Sequence, residues 1–242
     1  MEITSGMVQV QATDGAMSAS VCRPVGDRPC PGVIVVQEAF GLNGHIKDVG
    51  ARLAREGYVT LAPDLYYREK NAVVGYDNLP EAIRLMMALS DDNIVKDMAA
   101  AIAFLQKQPG VRADRIGVTG FCMGGRVSFL TACLNPAVKA AAPFYGGGIG
   151  SPRPPAPAPI DHADKLAGAM LLFFGDQDAF IPLEEVERIK ARLAAAKKAA
   201  EVIVYPGADH GFFCNERPSF HAASARDAWI RLLKFFEKHL KA

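Results

Sequence analysis

From Gly32 onward the chain alternates between two hydrophobic rhythms. The runs Val33–Gln37, Tyr58–Ala62, Ile116–Gly120, Val138–Phe144, Met170–Phe174 and Val202–Tyr205 are short, rich in β-branched or aromatic residues, and nearly continuous in apolar character. Such runs read as strands buried on both faces, the signature of a parallel sheet. Elsewhere apolar residues recur every three or four positions: Ile94, Met98, Ala101, Ile102 and Leu105; Val186, Ile189 and Leu193; Trp229, Leu232, Leu233, Phe236 and Leu240. This spacing predicts helices that lay an apolar stripe on the sheet, as core and not as cofactor contacts. Near the amino end, Val8–Ala12 and Ala19–Cys22 flank Asp14-Gly15 and read as an antiparallel edge hairpin. The expected fold is α/β, a mostly parallel central sheet of about eight strands with helices on both faces.

Two stretches break the rhythm. Residues 66–93 follow a strand at the edge where open α/β sheets bind ligands, and are expected to cover part of a site there. The proline-rich stretch Ser151–Pro159 reads as a stiff surface loop, because too little chain follows it for another domain and the strand-helix rhythm resumes at once. Residues 1–242 are therefore expected to form one domain.

Composition narrows the functional classes. Half of the 242 residues are hydrophobic and 22% are charged, enough for a buried sheet under a polar surface. Lysine and arginine total 27 against 26 acidic residues, so no broad positive field favours nucleic acid or anionic lipid. No apolar run spans a membrane and no secretory leader is visible, so a cytoplasmic monomer acting on a small molecule is expected. The cysteines at 22, 30, 122, 133 and 214 include no Cys-x-x-Cys pair, which fits neither a disulfide framework nor a zinc site. No histidine and carboxylate cluster has metal-ligand spacing either, and neither a metal nor another cofactor is expected.

The strongest chemical signal is Gly120-Phe121-Cys122-Met123-Gly124-Gly125, where a strand runs into a helix. This is the pattern of a nucleophile elbow, with cysteine as the central residue. The glycines remove Cβ atoms that would collide with the adjoining strand and helix, and the helix start favours a thiolate. The ordinary alternative is a buried cysteine in a glycine-rich turn. A base and an orienting acid follow in the order this fold uses. Asp178, in Gly175-Asp176-Gln177-Asp178 after a strand, is the candidate acid, against the alternative of a helix-capping aspartate. Asp176 is read as shaping the turn. His210, in Ala208-Asp209-His210-Gly211, is the candidate base, while His45, His162, His221 and His239 read as surface residues. The oxyanion donors expected are the backbone amides of Ala39 and Met123. Glu38, at the end of a buried strand, must either pair with a cation or exchange a proton with the site.

These residues resemble the dienelactone hydrolase (carboxymethylenebutenolidase) family, through Gln37-Glu38-Ala39-Phe40-Gly41, Pro63-Asp64-Leu65-Tyr66, Gly120 to Gly125, Gly175 to Asp178 and His210-Gly211-Phe212. The resemblance covers nearly the whole chain. It implies a carboxylic ester hydrolase that opens a lactone through a Cys122 thioester, with Asp178 and His210 completing the triad. It also implies that Glu38 takes the thiol proton when substrate arrives, from a resting state with a neutral thiol. The family's arginine a turn after the histidine is replaced by Cys214. Arg217, Arg84 and Arg68 are the candidates for gripping a substrate carboxylate, and Tyr145 for lining the pocket. The alternatives are a broader carboxylesterase or thioesterase with the same triad, and a binding or redox-sensing protein with a reactive Cys122. A nucleotide-binding reading of Gly146-Gly147-Gly148 fails, because prolines and not a helix follow it.

Overall fold

The computed structural model describes residues 1–242. Strands β1 (Ile3–Ala12) and β2 (Gly15–Pro24) pair antiparallel around Thr13-Asp14, longer at both ends than the expected hairpin. Strands β3 (Cys30–Val36), β4 (Val59–Pro63), β5 (Val111–Phe121), β6 (Val138–Phe144), β7 (Ala169–Gly175) and β8 (Ala200–Tyr205) complete one eight-stranded sheet, in the order β1-β2-β4-β3-β5-β6-β7-β8. β2 meets β4 antiparallel, and every pairing from β4 to β8 is parallel.

The burial follows the pairing. Every residue of β4 and β7 is buried, as continuous apolar runs require when helices cover both faces, whereas edge strand β1 is exposed on both sides from Thr4 to Met7 and buries only Val10 and Ala12. Helices α1 (Gly44–Arg55), α2 (Leu79–Ala88), α3 (Asp91–Gln106), α4 (Met123–Leu134), α5 (Leu183–Ala195) and α6 (Ala222–Phe236) occupy the crossovers and the carboxyl end. α3 begins at Ser90, whose hydroxyl accepts from the Asn93 amide at 3.2 Å. Its predicted stripe from Ile94 to Leu105 is buried. α1 and α6 meet through Arg52, whose guanidinium sits 4.0 Å from the centre of the half-buried Trp229 ring. One continuous cluster of 66 buried apolar residues joins sheet and helices, so the strand ends are held at fixed spacing.

Residues 66–93 are not an irregular loop. They contain a short 3-10 turn at Tyr67–Glu69, then α2 and the start of α3. Residues 151–158 are irregular, with a single bridge between Arg153 and Ala156, and Pro159 opens a 3-10 helix that runs to Lys165. No helix is long and apolar enough to cross a membrane.

Candidate active site

The carboxyl ends of β3, β5, β7 and β8 bring the predicted chemistry to one edge. Cys122 is the residue between β5 and α4, with φ 56° and ψ −116°, a strained backbone for a residue that carries a Cβ. Close packing enforces the bend: a Cβ on Gly120 would lie 2.3 Å from the Gly124 carbonyl oxygen, and one on Gly124 would lie 2.4 Å from that of Val36. Strand β5, helix α4 and strand β3 thus touch backbone to backbone, which fixes where the half-buried sulfur stands. The Cys122 amide donates to Phe144 at 3.1 Å, tying the elbow to β6 as well.

Asp178 and His210 meet across the loops that follow β7 and β8. The Gly207 amide donates to Asp176 Oδ1 at 2.7 Å and the Gln177 amide to the Ala208 carbonyl at 3.0 Å, so Asp176 does shape the turn. With the loops joined, His210 Nδ1 lies 2.8 Å from Asp178 Oδ2, and the carboxylate is sealed from solvent. The other Asp178 oxygen accepts from the Phe180 amide at 2.9 Å. Asp178 does not cap α5; Pro182 holds that position. The rings of Tyr145 and Phe180 stand edge-on to the imidazole, each with its centre 5.2 Å away, and limit its rotation.

Cys122 stands close enough to His210 to influence its ionisation. Burial pushes the imidazole's proton affinity down, but the Cys122 thiolate and the Asp178 carboxylate together outweigh it and lift the pKa to about 10. Such an arrangement favours the protonated imidazolium at His210. The amides of Ala39 and Met123 have no acceptor within the protein, as a pair reserved for a developing oxyanion requires.

Glu38 is fully buried two residues beyond β3. Burial raises its pKa, opposed mainly by Arg217, whose Nη1 is 3.4 Å from Oε1. The Tyr76 hydroxyl donates to Oε2 at 3.2 Å, while accepting from Asn43 at 3.0 Å and from Cys214 at 3.2 Å. Of the two expectations for Glu38, pairing with a cation is what this structure holds. Both Glu38 oxygens are engaged, one by Tyr76 and the other by Arg217.

Several sequence expectations need correction. Arg84 is an exposed residue of α2 held by Glu81 and Glu69, and Arg68 is bound by Asp14 and Asp97, so neither reaches the site. Both found acidic neighbours brought in by the fold. Arg217 does lie there, though its charge is directed at Glu38. Tyr145 is fully buried behind His210 with its hydroxyl unpartnered, and so packs against the imidazole from within. His45 is not a surface residue: it is buried between Phe121 and Phe213, and burial depresses its pKa to about 4.

Residues 66–93 contribute two side chains that residue type and periodicity did not flag. The Tyr66 hydroxyl donates to the Ala39 carbonyl at 3.0 Å and lies 3.6 Å from Met123 Sδ, bracing both segments that carry the free amides. Tyr76 joins Glu38, Asn43 and Cys214. A third, Phe180, is 64% exposed beside His210, where an apolar ring faces the approach to the site. Tyr66 stood in the Pro63-Asp64-Leu65-Tyr66 motif; Tyr76 and Phe180 stand in no periodic pattern. A surface hollow of about 420 Å³ lies at the opposite edge, by the amino ends of β7 and β8, and brings no reactive pair together.

Residues 17–240 match the dienelactone hydrolase family. The chain is 39% identical over 247 residues to a candidate carboxymethylenebutenolidase of Synechocystis sp., covering 100% of this chain and 99% of that one. It is 30% identical over 244 residues to a candidate 2-oxo-3-(5-oxofuran-2-ylidene)propanoate lactonase of Bradyrhizobium sp., covering 98% and 96%. The crystal structure of a candidate dienelactone hydrolase from Klebsiella pneumoniae superposes with a TM-score of 0.90 at 37% identity, covering 99% of this chain and 100% of that one.

Proposed function

This chain belongs to the dienelactone hydrolase family and is a hydrolase, and from that premise we propose that it opens a lactone of the carboxymethylenebutenolide type through a thioester on Cys122. The observation that carries the reading is the Asp178-His210 pair, joined at 2.8 Å and coupled to the Cys122 sulfur.

In the proposed reaction the Cys122 thiolate adds to the lactone carbonyl carbon, forming a C–S bond and moving the carbonyl electron pair onto oxygen. The amides of Ala39 and Met123 hold that oxyanion; losing one such donor costs on the order of 100-fold or more in rate. Collapse breaks the ring C–O bond. For an enol lactone the leaving oxygen departs as a stabilised enolate, which takes its proton from the His210 imidazolium and leaves a neutral imidazole. His210, steadied by Asp178, then removes a proton from water as it attacks the thioester, the C–S bond breaks, and the product carboxylate leaves with the thiolate restored. Were the thiol neutral at rest, the Glu38 carboxylate, whose proton affinity burial raises, would be the group to take its proton once Arg217 or Tyr76 shifts.

The test is rapid quenching with a dienelactone followed by mass analysis of the Cys122 peptide, alongside turnover of nitrophenyl esters. The expected result is a transient acyl adduct on Cys122 and lactone opening that outpaces simple esters. Ester cleavage with no lactone opening would replace the substrate assignment by the broader esterase reading. An adduct on any other residue would remove Cys122 as nucleophile.

A further inference from the structure

The amide and the carbonyl of Ala39 are separated by one Cα, so whatever fixes the carbonyl limits the swing of the amide. That carbonyl accepts a single hydrogen bond, from the Tyr66 hydroxyl at 3.0 Å, and no backbone amide reaches it. Its neighbours in the same turn are held by backbone instead. The Glu38 carbonyl accepts from the Gly41 amide at 3.3 Å, and that of Phe40 from the Val74 amide at 3.0 Å. The residue that carries a candidate oxyanion donor is thus the one whose backbone depends on a side chain.

Tyr66 is itself firmly placed. Its amide donates to Asp64 Oδ1 at 2.9 Å, and the Leu65 amide donates to Gln37 Oε1 at 3.3 Å, two residues before Ala39. The Asp64 amide is tied to the Ser18 carbonyl of β2 at 2.8 Å, and the Tyr66 carbonyl accepts from Glu69 and Asn71 at 2.8 and 3.0 Å. With the backbone pinned on both sides, the fully buried side chain reaches the Ala39 carbonyl and stands 3.6 Å from Met123 Sδ. The start of α4 is steadied in turn by Arg126, whose guanidinium meets Asp91 of α3 at 2.6 and 2.8 Å. A hydroxyl has one proton to give and the carbonyl is the stronger acceptor, so the thioether is a packing contact that sets how near α4 stands. Burial raises the Tyr66 pKa, and the hydroxyl keeps its proton.

We infer that Tyr66 is a positioning residue for the oxyanion site, its hydroxyl holding the Ala39 and Met123 segments so that both free amides aim at one point. The inference rests on the proposed acyl transfer at Cys122 and adds what sets the geometry of its oxyanion. It is tested with Tyr66→Phe, which keeps the ring and removes the donor. Two rates are measured side by side. Hydrolysis of p-nitrophenyl acetate passes through an oxyanion in acylation and again in deacylation, whereas alkylation by iodoacetamide, followed on the Cys122 peptide, needs the thiolate and forms no oxyanion. Hydrolysis is expected to lose about tenfold in kcat with KM unchanged, while the alkylation rate and its pH profile stay as in the unmodified protein. Placing 4-aminophenylalanine at position 66 restores a weaker donor on the same ring; its kcat should fall between the two, and it carries the comparison if the phenylalanine variant does not fold. Tyr67→Phe is the control, since that hydroxyl bonds Asp14 and Asp97 and touches neither amide-bearing segment, and both rates should hold. An unchanged kcat in Tyr66→Phe, hydrolysis and alkylation falling together, or no recovery with the aminophenyl side chain overturns the inference. If the unmodified protein still hydrolyses the ester once Cys122 is alkylated, the Cys122 reading fails and the inference falls with it.

Discussion

Replacing Gly124 by alanine would test whether backbone contact between elbow and strand sets the oxyanion geometry. A Cβ there would lie 2.4 Å from the Val36 carbonyl oxygen and 2.5 Å from that of Gln37, and neither atom belongs to a side chain that can rotate away. Carbon and oxygen do not pack closer than about 3.0 Å, so α4 and the end of β3 must separate by about 0.6 Å or more. The two segments that must part are those carrying the Met123 and Ala39 amides. Displacement on this scale is expected to lower kcat/KM on the order of 100-fold, since donors aligned to a transition state lose most of their value when misplaced by an ångström. Overpacking should also cost about 1–3 kcal/mol of stability. Hydrolysis of p-nitrophenyl acetate gives the first quantity and urea unfolding the second. Gly147→Ala is the control, because a Cβ there meets nothing nearer than Ile181 Cγ1 at 3.8 Å. If Gly124→Ala keeps full activity, or if the control loses as much, the contact does not govern the site.

Cys122→Ser should lose activity at least about 100-fold on esters and lactones alike, because a hydroxyl does not ionise as a thiol does; undiminished turnover would mean that the sulfur is not needed. The raised pKa of His210 gives a pH signature. An imidazole whose affinity rises on folding stabilises the protein fully below its ordinary value near 6.5, and that stabilisation fades as pH climbs through about 10. Cys122→Ala removes the thiolate that sustains the shift, so NMR titration of His210 should move to lower pH, and an unmoved titration would contradict the pairing. Asp91→Ala strands the buried Arg126 guanidinium and should cost about 3–5 kcal/mol in urea unfolding, largely recovered when Arg126→Met is added; a loss below about 1 kcal/mol would class the pair with exposed ones.

The sequence by itself determined what depends on neighbours in the chain. Apolar runs marked six parallel strands near their observed ends, except that β5 starts at Val111, ahead of the apolar run at Ile116, because burial on both faces leaves no place for polar side chains along a strand. Gly120-Phe121-Cys122-Met123-Gly124-Gly125 marked the bend, since only glycine permits backbone approaches of this kind. The order of Cys122, Asp178 and His210, each just past a strand, foretold that they would share the carboxyl edge of a parallel sheet.

What the tertiary structure alone decided is which charges meet. Arg217 reaches Glu38 from 179 residues away, whereas Arg84 turns to Glu81 within its own helix. Tyr76 came to join three segments, His45 went inside between two phenylalanines, and Arg153 was left without a partner. None of these leaves a mark along the chain. Helical and strand periodicity records which side of an element faces the core, but a long polar side chain chooses its partner from whatever the folded packing puts within about 3 Å, and sequence separation has no bearing on that distance.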